Sequence, residues 1–303
     1  MLTNLPSVAL RSAVRVTCQT NCVWRRSQSH RIAKQCIATS SPPKEGTSSN
    51  LEIDLKNGNS LSIKEVKPWY AFGSVGAVVW PVALRLLDVI KVADVPQDLG
   101  EENNFTAIEL GSGTGVVGIA ICAMTGAKVI LTDKPPASSS ANSPLQLCSH
   151  NIMLNSDLLG DIEVQPLLWG DDVAIDKCLA FTKAGGGFDL VVGSDITYHT
   201  PGHPLLFYTA AKLLRKAPSV SHTPLKGLLI SHHYRGETSY QSMLRAAGEA
   251  GFATPRSICK ENTDVGTKFE VLQFLLRDDS DEVVSRKQQL PPTPSPVGHG
   301  TGG

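Results

Sequence analysis

A chain of 303 residues with 41% hydrophobic content can bury the core of one α/β domain with appendages, or of two small domains at most; one is expected. Its richest apolar stretch, Val75 to Val92, is broken by Pro81, Arg85 and Asp88, so it lacks the ~18 uninterrupted apolar residues of a membrane-spanning helix. Formal charge is zero overall, yet residues 1–44 hold seven bases and no acid, leaving 21 basic against 28 acidic residues from Glu45 onward. A mildly acidic body suits a basic protein or peptide better than a phosphate backbone, so neither nucleic acid nor membrane is expected as a partner.

The first 44 residues are rich in Ser, Thr, Arg and Ala and begin with the apolar-basic run "LPSVALRSAVRV". That composition predicts an organellar transit peptide, for chloroplast or mitochondrion, with a disordered basic arm of a cytoplasmic protein as the alternative. The seven cysteines, at positions 18, 22, 36, 122, 148, 178 and 259, form no C-x-x-C pair, so reduced thiols and no metal site are expected.

"LEIDLKNGNSLSIKEV" alternates apolar and polar residues around Asn57-Gly58, a hairpin signal because both residues tolerate positive φ. "GAVVWPVALRLLDVIKV" then reads as an amphipathic helix with Pro81 in its first turn. From Phe105 the chain alternates. Strands are predicted at "FTAIEL", "AKVILTD", "IEVQPLL", "FDLVVGSD" and "LKGLLISHH"; helices at Thr114–Met124, Ser139–Asn155, Asp171–Thr182, His203–Arg215 and Ser239–Ala250. Strands apolar on both faces and separated by helices imply a parallel sheet covered on both sides. "FATPRSI" and "KFEVLQFLLR" break the rhythm as a closing antiparallel hairpin. The expected fold class is therefore α/β: a Rossmann-like, seven-stranded sheet of the S-adenosylmethionine (AdoMet) methyltransferase type, preceded by a small N-terminal β-hairpin and helix. Its domain should span 45–277, with 278–303, ending "QQLPPTPSPVGHGTGG", as a disordered tail.

Ligands of open α/β sheets bind beyond the carboxyl ends of the strands. "ELGSGTGVVGIA" there satisfies two patterns: Gly113, Gly115 and Gly118 spell G-x-G-x-x-G, and Glu109, Gly111, Gly113 and Gly115 spell E-x-G-x-G-x-G. Gly111 and Gly113 would let the backbone run close to a ligand, where a Cβ would take up cofactor space. A pyrophosphate at the helix start wants N–H groups and no nearby carboxylate, whereas AdoMet carries an ammonium and a sulfonium, so Glu109 favours AdoMet. Asp133 can bind ribose in either cofactor. The fourth strand ends "GSDITYH", putting Asp195 and Tyr198 at the cleft mouth. A carboxylate left unpaired at the end of so apolar a strand carries a desolvation cost, and beside an aromatic ring it suits a cationic amine.

The runs "GAVVWPVALRLL", "IELGSGTGVVGIA", "VILTDKP", "LLWGDD", "FDLVVGSDITYH" and "HYRGETSY" together resemble the protein-lysine methyltransferases of the methyltransferase-like 21 group, within the seven-β-strand methyltransferase family 16. The similarity covers roughly Leu51 to Arg277. It implies AdoMet as cofactor and a lysine-bearing protein as substrate. Gly111, Ser112 and Gly113 would line the AdoMet loop, Asp133 would hold the ribose, and Trp169 would pack near the adenine. Trp80, in a G-x-x-x-W element with Gly76, would touch the cofactor, and Ser194 stands where relatives carry a small residue such as Ala. Asp195 and Tyr198 are the D-x-x-Y pair and the expected catalytic residues, and Arg235 matches a position near the substrate. His199, His203, His232 and His233 read as polar lining. A monomer is the default. The competing readings are a NAD(P)-dependent oxidoreductase, disfavoured by Glu109 and the extra Gly111 ahead of the G-x-G-x-x-G, and a catalytically idle methyltransferase-like binding module.

Overall fold

The computed structural model describes residues 47–56, 58–67, 75–93, 105–136, 143–215, 225–262 and 268–277. The N-terminal arm, with Cys18, Cys22 and Cys36, lies outside them, as do Asn57 and the tail 278–303.

The chain opens with the antiparallel hairpin β1 (Thr47–Asp54) and β2 (Ser60–Lys67), with Gly58 at φ 82 in its turn. Leu61 and Ile63, two apart on β2, share the face turned into the core. Helix α1 (Pro81–Val92) follows, with Pro81 at its start where a missing N–H costs nothing. Then come β3 (Thr106–Leu110), α2 (Val116–Thr125), β4 (Lys128–Asp133), α3 (Pro144–Leu154), β5 (Ile162–Pro166), α4 (Asp172–Leu179), β6 (Leu190–Ser194), α5 (His203–Leu213), β7 (Gly227–His233), α6 (Glu237–Glu249), β8 (Arg256–Asn262) and β9 (Lys268–Phe274).

The main sheet has seven strands in the order β5-β4-β3-β6-β7-β9-β8; β3 to β7 run parallel, while β9 is antiparallel to both neighbours. The predicted closing hairpin is present as β8–β9, but its first strand runs Arg256–Asn262, displaced from the "FATPRSI" expected. Central β3 is buried throughout, as a strand covered on both faces must be. Alternation sorts its neighbours: Val129 and Leu131 of β4 pack with α1, α2 and the hairpin, while Ile130 packs with α4, α5 and α6 on the opposite face.

Two expected helices are shorter than their pattern. The Asp171–Thr182 stretch is helical only to Leu179, because Gly185, Gly186 and Gly187 lead the chain through a 3₁₀ turn at Lys183–Gly185 into β6. Helix α3 begins at Pro144, behind a capping box in which the Ser143 side chain and backbone pair with Gln146; residues 139–142 of the predicted span lie outside the described ones. Two buried amides, Asn151 in α3 and Asn155 just past its end, lock the hairpin in place. Asn151 Oδ1 accepts Lys64 N at 2.8 Å, and Asn155 takes both the N–H and the carbonyl of Ser62 at 2.9 Å. The free edge of β2 is thereby paired at Ser62 and Lys64 without a third strand.

Candidate active site

The chain moves outward from β3 to β4 and β5 and then returns to place β6 on the other side of β3. At such a switch point adjacent loops diverge and leave a crevice. A cavity of about 680 Å³ opens there, within the range of small-molecule sites. Trp80, Glu109, Gly111, Ser112, Gly113, Asp133, Trp169, Ser194, Asp195 and Tyr198 all line it, so the structure brings every candidate residue to one place.

The glycine loop joins β3 to α2. Gly111 (φ 61), Gly113 (φ 54) and Gly115 (φ 79) all have left-handed backbone, which other residues adopt only at a cost. Their tightest neighbours give a second reason for glycine, independent of ligand space. A Cβ on Gly111 would lie 2.8 Å from Ile196 Cγ2, and one on Gly113 would lie 2.9 Å from Gly76 O. The loop is wedged between the segment before α1 and the loop after β6, so protein atoms by themselves already leave no room for a Cβ at either position. Beneath it, Cys148 Sγ donates to Gly113 O at 3.2 Å, and Asn151 Nδ2 donates to Thr114 O at 2.8 Å. Burial pushes the Cys148 thiol well above its ordinary value.

Glu109 is 2% exposed and its Oε2 accepts the N–H of Gly118 at 2.8 Å. The acid thus satisfies a first-turn N–H of α2 from the preceding strand. Burial raises the Glu109 carboxyl from 4.5 to about 8, opposed by the Gly118 bond and helped by Asp133. Asp133, at the end of β4, accepts Gly113 N at 2.9 Å and Lys134 N at 2.8 Å. Burial raises its carboxyl too, against the pull of those two N–H groups.

Beyond β6 the backbone turns sharply, with Asp195 at φ 52. The expectation that its carboxylate is unpaired is wrong. Arg235, two residues past β7, grips it in a fork, Nη1 to Oδ1 and Nη2 to Oδ2, both at 2.7 Å. Pairing answers the desolvation cost that drew attention to this acid. Tyr198 stands 53% exposed at the rim, its phenol raised above the usual value by partial burial and then by Asp133 and Asp195.

Thr197, between the two motif residues, is fully buried and held from two sides. Its Oγ1 pairs with His232 Nδ1 at 2.7 Å, and its carbonyl lies 2.9 Å from His203 Nε2. A carbonyl only accepts, so His203 carries its proton on Nε2. His232 is pushed down to about 4 by burial first and by Arg235 next, and stays neutral. These two histidines, expected as polar lining, are buried supports of the motif loop; only the tertiary fold gives them partners.

Trp80 donates its indole N–H to Val75 O at 3.0 Å and forms one edge of the cavity. Trp169 packs against Gly111 and Gly202, forming another wall. Ser194 Oγ is buried and has no partner among the described residues. Two aromatic walls, two acids suited to an ammonium and to ribose hydroxyls, and an orphaned hydroxyl together fit AdoMet. Among the described residues no group of three or more His, Cys, Asp or Glu is arranged to hold a metal, and no helix is long and apolar enough to cross a membrane.

This frame is the seven-strand methyltransferase fold. The chain belongs to the lysine methyltransferase family (methyltransferase family 16), whose model matches residues 56–243. It is 35% identical over 159 residues to EEF1A lysine methyltransferase 3 of Mus musculus, covering 52% of this chain and 57% of that protein. It is 32% identical over 167 residues to protein N-lysine methyltransferase METTL21A of Danio rerio, covering 54% and 66%. A third relative, protein-lysine N-methyltransferase EFM3 of Chaetomium thermophilum, is 30% identical over 190 residues, covering 62% and 51%. The chain thus spans between half and two thirds of the length of these relatives. Among solved structures it resembles P. horikoshii TYW2 in complex with MeSAdo, with TM-score 0.40, 14% identity, and 74% and 70% of the two chains covered.

Proposed function

We propose that this chain transfers a methyl group from AdoMet to the ε-amine of a lysine in a protein substrate. One observation carries the reading: the acid-and-tyrosine motif after β6 opens onto the same cavity as the glycine loop after β3. Family membership and relatives named as protein-lysine methyltransferases support it.

Glu109 and the loop Gly111–Gly113 would hold the amino-acid end of AdoMet, Asp133 its ribose, and Trp80 and Trp169 its adenine flank. Ser194 Oγ gains a partner there. When bound, AdoMet supplies a methyl carbon that is already electrophilic. The protein's share is therefore to present a neutral amine in line and to keep it there, and orientation of this kind can supply much of a rate enhancement. Asp195 accepts an N–H of the amine on the lone pairs that Arg235 leaves free, and Tyr198 closes the outer wall of the amine pocket. Lysine, with a pKa of about 10.4, must first release a proton, which passes to water through the open rim.

The test pairs calorimetry with methyl transfer. Wild-type protein should bind AdoMet and its demethylated product and label lysine in proteins from a methylation-deficient extract. Asp195→Ala should keep cofactor binding and lose transfer by at least about a hundredfold, the scale of a positioned hydrogen-bonding group. Unchanged transfer in Asp195→Ala refutes its role, and uptake of NAD without AdoMet refutes the function.

A further inference from the structure

The acid expected to greet the substrate amine is not a bare anion. Both oxygens of Asp195 are occupied by Arg235 at 2.7 Å, and Arg235 Nη1 also donates to His233 O at 3.0 Å, which fixes the plane of the fork. A guanidinium cannot lose its proton at any pH the protein survives, so this charge is permanent. The other titratable groups around the site do not undo the balance. His232 and His233 on β7 are both pushed down by burial and by Arg235, and His203 at the start of α5 is spent on Thr197. Glu109 lies across the cavity, its carboxyl raised by burial and its Oε2 committed to the Gly118 N–H. Asp133 and Lys134 at the end of β4 bring one charge of each sign, Tyr198 is a neutral phenol with a raised pKa, and Glu237 on α6 is taken by Tyr234 and Gln241.

We propose that Arg235 keeps the substrate lysine in its neutral, nucleophilic form, by cancelling the Asp195 charge that would otherwise trap the ε-ammonium. The inference rests on the lysine-methyltransferase reading and deepens it. An unpaired carboxylate within a few ångströms of an ammonium raises the pKa of that ammonium and binds it in the one state that has no lone pair to offer. With Arg235 in place the pair is neutral, the nearest full charge felt by the incoming lysine is matched by an opposite one, and desolvation tips the equilibrium toward the amine. The ammonium gives its proton to water on entry. Asp195 keeps one outer lone pair on each oxygen, so it still orients the amine by accepting an N–H.

A role confined to bracing the loop would alter stability and cofactor affinity and leave the pH dependence of amine binding untouched. The experiment uses the full chain saturated with S-adenosylhomocysteine, with Nα-acetyl-lysine amide as probe, followed by ligand-observed NMR between pH about 7 and about 9. Wild-type affinity for the probe should climb about tenfold per pH unit, because only the amine fraction binds. Arg235→Gln should bind the ammonium, giving an affinity at neutral pH at least about tenfold higher and nearly flat with pH. Its methyl-transfer optimum should move up by about one to two pH units. Arg235→Lys, which keeps a cation, should retain the steep profile. A flat wild-type profile overturns the proposal whether or not the variants fold, as does a folded Arg235→Gln with the wild-type slope. Wild-type protein that does not take up S-adenosylhomocysteine refutes the methyltransferase reading itself, and the proposal with it.

Discussion

Replacing Glu109 with Gln tests the buried acid that links the glycine loop to α2. Burial pushes the folded carboxyl up to about 8, against 4.5 for a free glutamate. Below 4.5 the group is protonated in folded and unfolded chains alike and contributes no pH-dependent term. Between 4.5 and about 8 the unfolded chain loses the proton and the folded chain keeps it, so the unfolded state binds fewer protons and stability falls as pH rises. At about 1.4 kcal/mol per unit the accumulated cost reaches about 5 kcal/mol once pH passes 8. Gln cannot ionise, and its side-chain carbonyl can still accept the Gly118 N–H. Glu109→Gln should therefore match wild type near the acid end of that window and exceed it by a few kcal/mol at the alkaline end. Chemical denaturation at the two ends of the window measures this. The same residue bears on ligand binding: if its carboxylate meets the AdoMet ammonium, wild-type binding at neutral pH should release a proton, seen as an enthalpy that varies with the buffer's own ionisation heat. Glu109→Gln should bind more weakly and release none. Parallel stability-against-pH curves for the two proteins would refute the burial argument, and equal proton release would refute the ligand contact.

Two further substitutions probe the scaffold. Gly111→Ala adds a Cβ 2.8 Å from Ile196 Cγ2 at φ 61; backbone strain and overpacking should together cost about 2–4 kcal/mol in denaturant unfolding, and the Ile196 shift should reach Asp195 and slow transfer. Asn151→Ala strips a partner from the buried Lys64 N–H and from the Thr114 carbonyl; it should cost about 2–4 kcal/mol and weaken AdoMet binding measured by calorimetry, because the glycine loop loses its tie to α3.

Much of this protein is written locally. Apolar runs such as "FTAIEL" and "FDLVV" announce strands buried on both faces, because a side-chain period of two with no polar phase has only one home, the middle of a covered sheet. Glycines at 111, 113 and 115 announce a tight β–α turn, since they tolerate positive φ. Nine of the ten candidate site residues sit at strand ends or in the loops beyond them, where a parallel sheet exposes its loops, while Trp80 comes in from the start of α1, and all ten converge on one cavity. What the sequence could not disclose is partnership across distance. Asp195 and Arg235 are 40 residues apart, Asn151 and Lys64 are 87 apart, and Thr197 and His232 are 35 apart. Periodicity tells which face a residue lies on but not which residue faces it, and the sheet order that sets those pairs is decided only when the layers pack. An acid that looks bare in the sequence is paired in the fold, because burying a lone charge costs several kcal/mol that a neighbouring cation removes.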